Sequence, residues 1–139
     1  MVDRPLYAGR VAVIRDAIAR IRAVLPGSVS AFLADRTVRE VVVLNPFVAI
    51  QAALDLASHW LADEGWDVPQ RYGDICMALA EHEVISRALA GRLAEASGFR
   101  NLVAHQYGAI DWTRVHAMAS STDLDDLDTF CAELSLKLT

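Results

Sequence analysis

The apolar positions of this chain fall into runs with helical spacing. Val11, Ile14, Ile18, Ile21 and Leu25 recur at intervals of three and four, as in a helix that lays one stripe against a core. They predict a first helix from about Leu6 to Leu25, ended by Pro26-Gly27-Ser28. Arg10, Arg15, Arg20 and Arg22 lie off that stripe, and a solvated face is the expectation for them rather than a track for RNA. Ser28 to Asp35 reads as a short connector with room for a helical turn.

A second helix is expected from Arg36 to about Glu64-Gly65, where Phe47, Ile50, Leu54, Ala57 and Leu61 carry the stripe. Val41, Val42 and Val43 suit a strand, but no partner strand is visible elsewhere in the chain. Pro46 cannot donate to the carbonyl of Val42 and disfavours a helical Asn45. One long helix kinked at Pro46 is the expectation, with a second helix capped by Asn45 as the alternative. After a loop at Gly65 to Gln70, a third helix is expected over Tyr72 to Glu81, with Ile75, Leu79 and Cys76 inward. A break at His82-Glu83 leads to a fourth, striped by Ile85, Leu89, Leu93, Ala96, Phe99 and Val103 and stopped by Gly108. Asp111 is expected to cap a fifth, whose Leu124, Leu127, Cys131, Leu134 and Leu138 face inward, with Asp123, Asp125, Asp126 and Asp128 wet. With no strand pairs, repeats or low-complexity tract, the fold class is an all-α, up-and-down bundle of four to five helices.

Composition narrows the picture. The 139 residues are 54% hydrophobic and 22% charged, which fits a single domain over residues 1–139 with one core. No run of about 18 uncharged apolar residues suggests a membrane span, and the first nine residues lack the apolar core of a signal peptide, so a cytoplasmic protein is expected. Cys76 and Cys131 sit in apolar helical patterns and read as buried thiols rather than a disulfide. The net charge of −5 argues against broad nonspecific binding to nucleic acid, so a nuclease would need a local basic cleft. Lys137 is the only lysine; the other positive residues are all arginine, the better side chain for docking phosphate.

Candidate chemistry gathers in Gly98-Phe99-Arg100-Asn101-Leu102-Val103-Ala104-His105-Gln106-Tyr107. An arginine clamps phosphate through its planar fork of donors, and a histidine moves protons near neutral pH. Together they suit chemistry on a phosphodiester. At about 100° per residue, Arg100 and Tyr107 share one helix face, whereas His105 lies about 140° from Arg100 and about 40° from Asn101. One ideal helix therefore does not pool Arg100 with His105, unless it loosens near Gly98 or Gly108 or a second subunit supplies half the cleft. His82 stands between Glu81 and Glu83 without a second histidine at metal-ligand spacing, and His59 and His116 read as ordinary helix residues. No metal site, phosphate loop or nucleophile elbow is expected.

The Arg100-Asn101-x-x-x-His105-x-Tyr107 arrangement resembles the signature of the HepT-like toxins of the HEPN ribonuclease superfamily. The resemblance continues in the leading Gly98-Phe99, in Asp111, in Ile50 to His59 and in Pro69-Gln70-Arg71-Tyr72-Gly73-Asp74. It spans roughly residues 5 to 135. It implies a helical, dimeric, metal-independent endoribonuclease that uses no cofactor, with two motifs facing one groove. His105 would be the base, Arg100 the charge stabiliser and Asn101 a supporting residue. It also implies a toxin neutralised by a nucleotidyltransferase antitoxin that transfers AMP to Tyr107. The competing expectation is a noncatalytic helical dimer that binds or regulates such a nucleotidyltransferase.

Overall fold

A computed structural model describes residues 3–138. Among them are seven α-helices and two short 3₁₀ turns, with no strand. In chain order the helices are α1 (Arg4–Val24), α2 (Val29–Ala34), α3 (Arg36–Asp63), α4 (Tyr72–Glu81), α5 (Arg87–His105), α6 (Trp112–Ser120) and α7 (Asp125–Leu138). The chain is the all-α bundle that the apolar periodicity predicts. Most starts are marked by a side-chain cap that satisfies an otherwise orphan backbone N–H. Asp3, Ser28, Asp35, Ser86 and Asp111 each accept such a bond, at α1, α2, α3, α5 and α6 respectively.

The helix count differs from the expectation in two places. The connector at Ser28–Asp35 holds a real helix, α2, which buries Phe32 completely. The expected single last helix is two. α6 stops at Ser120 and a 3₁₀ turn over Thr122–Leu124 intervenes. The cause is the Ser120-Ser121-Thr122-Asp123 cluster. Ser121 Oγ accepts from the Asp123 N–H and donates to the Met118 carbonyl, a local bonding that competes with helix continuation.

α3 is the axis of the bundle. It runs unbroken through Pro46, as one helix rather than two, and the Asn45 side-chain amide donates to the Val41 carbonyl at 2.8 Å. It is the helix among the described residues long and apolar enough to cross a membrane. More than half of that apolar window is buried by its neighbours, so packing in the bundle accounts for its hydropathy. α1 lies along α3, and α4 packs on α5. The main core joins α1, α3, α4, α5 and α7 through Ile14, Leu61, Leu79, Leu89, Phe130 and Leu134. A second cluster forms where α2 and α6 cover the other end of α3, around Phe32, Val42, Val115 and Leu124. Phe99 packs against both clusters and so pins the last turns of α5.

Polar ties close the bundle. The Tyr7 hydroxyl donates to the Cys131 carbonyl at 3.1 Å, and Arg22 meets Asp125 at 2.7 Å. Arg92 pairs with Asp126 at 2.8 Å. Arg22 and Asp125 are thus interhelical partners as well as exposed residues, and Asp126 is a partly buried one. The two cysteines are buried, free thiols, as their apolar surroundings in sequence suggest.

A candidate phosphate-binding groove at the end of α5

Arg100 lies on the last turns of α5, where the helix faces both α3 and the start of α4. Its Nε donates to Gln51 Oε1 on α3 at 2.6 Å, and its Nη1 donates to Asn101 Oδ1 at 3.0 Å. The Gln51 amide is oriented in turn by donating from Nε2 to Asp55 Oδ1 at 3.0 Å. The Arg100 guanidinium also sits 4.9 Å from the centre of the Tyr72 ring and 5.6 Å from that of Phe47, within the range of cation–π attraction. A long, flexible side chain is thereby held in one place by α3, α4 and its own helix. Neither hydrogen bond uses Nη2.

Arg100, Asn101 and His105 line one open groove together with Gln70, Arg71, Tyr72, Gly73 and Asp74. The helical-wheel separation of Arg100 and His105 is real, but a long arginine and the segment before α4 bridge it within one chain. His105 is the last residue of α5 and is exposed. Two arginines, Arg71 and Arg100, and one carboxylate, that of Asp74, line the groove, so positive side chains outnumber negative ones there in a chain of net charge −5. Two of the partners of Arg100, Gln51 and Tyr72, lie in the upstream segments, Ile50 to His59 and Pro69 to Asp74, that stood out in the sequence. Gln51, Asp55 and Tyr72 carry no chemical signal of their own there, and only that segment-level likeness marked them.

Tyr107 is placed differently from the expectation. α5 ends at His105, three residues before Gly108, and Tyr107 opens a 3₁₀ turn over Tyr107–Ala109. It is therefore not on the Arg100 face of a continuing helix, nor does it line the groove. The chain turns because Ile110 and Trp112 pack against the second core cluster and Asp111 must be extended to cap α6. Tyr107 is 47% exposed, with its ring edge-on to Trp112 at 6.0 Å.

Two of the other histidines, His116 and His82, have structural surroundings. His116 is buried, with Nε2 2.8 Å from the Pro26 carbonyl and its ring 5.2 Å from that of Phe32. His82 stacks flat on Trp66 at 3.8 Å. Among the described residues, no three His, Cys, Asp or Glu side chains gather as a metal site requires.

Comparison with known proteins places this arrangement in a family. The family model described as "Ribonuclease HepT-like" matches residues 14–134. The mRNA nuclease HepT of Shewanella oneidensis is 32% identical over 102 residues, which are 73% of this chain and 76% of that protein. The solved structure of the tri-AMPylated Shewanella oneidensis HEPN toxin in complex with MNT antitoxin superposes with a TM-score of 0.86 at 27% identity, covering 98% of this chain and 99% of that one. A toxin–antitoxin crystal structure with AMP-PNP gives 0.87 at 26% identity, over 95% and 98%. With the family model covering nearly the whole bundle and the groove residues inside it, the chain belongs to the ribonuclease HepT-like family.

Proposed function

We propose that this chain is the endoribonuclease toxin of a toxin–antitoxin pair, that it acts in the cytoplasm as a homodimer, and that its groove at the end of α5 cleaves RNA. The observation that carries this reading is the guanidinium of Arg100, fixed by Gln51, Asn101 and Tyr72 in the groove that His105 also lines. A preset guanidinium costs little reorganisation when charge develops on a phosphate oxygen. In the reaction, His105 takes the proton of a ribose 2′-OH, and that oxygen attacks the adjacent phosphorus. Arg100 holds the non-bridging oxygens as negative charge builds, and Asn101 keeps the guanidinium edge in register. The bond to the 5′ oxygen of the next nucleotide breaks, and that oxygen takes a proton from the second subunit's imidazole. The products are a 2′,3′-cyclic phosphate and a 5′-hydroxyl, and no metal takes part in these steps.

Regulation follows from Tyr107. A relative whose structure is known was captured AMPylated and bound to its antitoxin, and here the motif tyrosine is half-exposed beside the groove-bearing helix. A nucleotidyltransferase antitoxin adenylylates Tyr107 and silences the nuclease.

The test is cleavage of a fluorogenic single-stranded RNA. General acid–base catalysis contributes about 10²- to 10⁴-fold, so His105→Ala loses activity by that order and EDTA leaves the wild type unchanged. EDTA sensitivity, or an active His105→Ala, overturns the mechanism. A wild-type protein without any cleavage, but with tight nucleotidyltransferase binding, favours the noncatalytic dimer instead.

A further inference from the structure

Outside the groove, the surface around Trp112 collects charge and aromatic rings from three parts of the chain. Tyr107 meets the Trp112 ring edge-on at 6.0 Å. The Arg39 guanidinium of α3 lies 5.4 Å from the centre of the same ring. Arg39 is anchored by a bond from Nη1 to the Leu33 carbonyl, while its Nε is buried without a hydrogen-bond partner. An unpaired buried donor on a charged group is a costly arrangement unless something satisfies it. Arg36 stands three residues earlier on α3, on the same face. Its Nε donates to Glu40 at 2.8 Å and its side chain is 84% exposed, so its terminal nitrogens face outward. Its guanidinium is held above the ordinary arginine pKa chiefly by the Glu40 hydrogen bond and charge. Arg100, by contrast, commits Nε and Nη1 to Gln51 and Asn101, and Tyr107 does not line its groove.

We propose that Arg39, which covers the Trp112 ring that Tyr107 also meets, and Arg36, one turn earlier on the same face of α3, form the receptor for the phosphate of an adenylyl group carried by Tyr107. This rests on the reading that Tyr107 is the modified residue. In the transfer, the Tyr107 phenolic oxygen forms a bond to the α-phosphorus of ATP. The bond from that phosphorus to the bridging oxygen of the β-phosphate breaks, pyrophosphate leaves, and the phenolic proton passes to the transferase or solvent. The new phosphodiester carries one negative charge on the turn that packs on Trp112, the ring the Arg39 guanidinium already covers, with Arg36 one turn away along α3. Charge-assisted bonds from Arg36 and Arg39 hold it, with Glu40 displaced as the partner of Arg36. The modified turn after α5 is then strapped to the start of α3. Arg100 plays no part in holding this phosphate.

A clamped phosphodiester is shielded from hydrolysis, and that protection is measurable. Wild type, Arg36→Gln, Arg36→Gln/Arg39→Gln and Arg100→Gln are incubated with ATP and the cognate nucleotidyltransferase. A nonspecific phosphodiesterase is then added, and AMP loss is followed by intact mass, with peptide fragmentation locating the AMP. Arg36→Gln alone raises the release rate about threefold and the double variant about tenfold or more, whereas Arg100→Gln does not change it. Because the Arg36 side chain is almost wholly solvent-facing, its single variant keeps the fold and decides the case if Arg39 proves structural. Equal release rates from Tyr107 in wild type and Arg36→Gln overturn the receptor while leaving Tyr107 as the modified residue. Faster release in Arg100→Gln instead places the phosphate over the groove and also overturns it. Undiminished AMP gain in Tyr107→Phe removes the reading beneath the proposal, and the receptor falls with it.

Discussion

Replacing Gln51 with alanine tests whether Arg100 is positioned from α3. Gln51 touches no substrate in the proposed mechanism, and its Oε1 accepts from Arg100 Nε at 2.6 Å while Asp55 fixes its amide. Hydrogen bonds to charged groups contribute about 1.5–3 kcal/mol. The groove is open and Arg100 only partly buried, so water replaces part of the loss and the lower end, about 1.5 kcal/mol, applies. Since 1.36 kcal/mol is a factor of ten in rate, Gln51→Ala lowers kcat/KM for RNA about tenfold, with most of the loss in kcat. A purely structural effect is separated by a double-mutant cycle. If Gln51 acts through Arg100, then Gln51→Ala in an Arg100→Ala background costs almost nothing further. Gln51→Glu keeps an acceptor for Arg100 but loses the donor to Asp55, and falls between the two. The assay is steady-state cleavage of a fluorogenic RNA, with urea denaturation as the control on folding. Full activity in Gln51→Ala, or additive losses in the double variant, refutes the reasoning.

Three further outcomes are expected. Sedimentation at micromolar concentration gives a dimer, and a monomer that still cleaves RNA removes the second imidazole from the mechanism. Phe130 is fully buried in the main core, so Phe130→Ala costs about 3–5 kcal/mol, read as a shift of the urea midpoint at constant slope. Burial pushes the Cys76 and Cys131 thiols up to about 11 from an ordinary value of 9.0. The unfolded chain therefore loses these protons first as pH rises, and stability that is intact below pH 9 declines between 9 and 11. The same urea titration across that range checks it, and a flat profile contradicts the burial of the thiols.

The division between sequence and tertiary structure is visible residue by residue. Helix class, the stripe of α1, the span of α4 and the cap at Asp111 depend on the chain a few residues either way, so periodicity and capping chemistry reveal them. The chemistry of Arg100, Asn101 and His105 is likewise legible, because it resides in the side-chain types and their spacing. Local reasoning failed where packing from a distance decides, and at one site where local hydrogen bonding is masked by the apolar repeat. The stripe alone carries α5 to Gly108, but Ile110 and Trp112 dock on the second core cluster, and this turns the chain after His105 and takes Tyr107 off the Arg100 face. The cluster Ser120–Asp123 splits the last helix by bonding its own backbone, a competition that the seven-residue repeat of leucines conceals. The wheel separated Arg100 from His105 because it measures only where side chains leave the helix. How far an arginine reaches, and what catches it, is set by Gln51, 49 residues earlier, and by the Tyr72 ring. Such partners meet only when the core has closed, because their contact arises from helix packing and not from any neighbour along the chain.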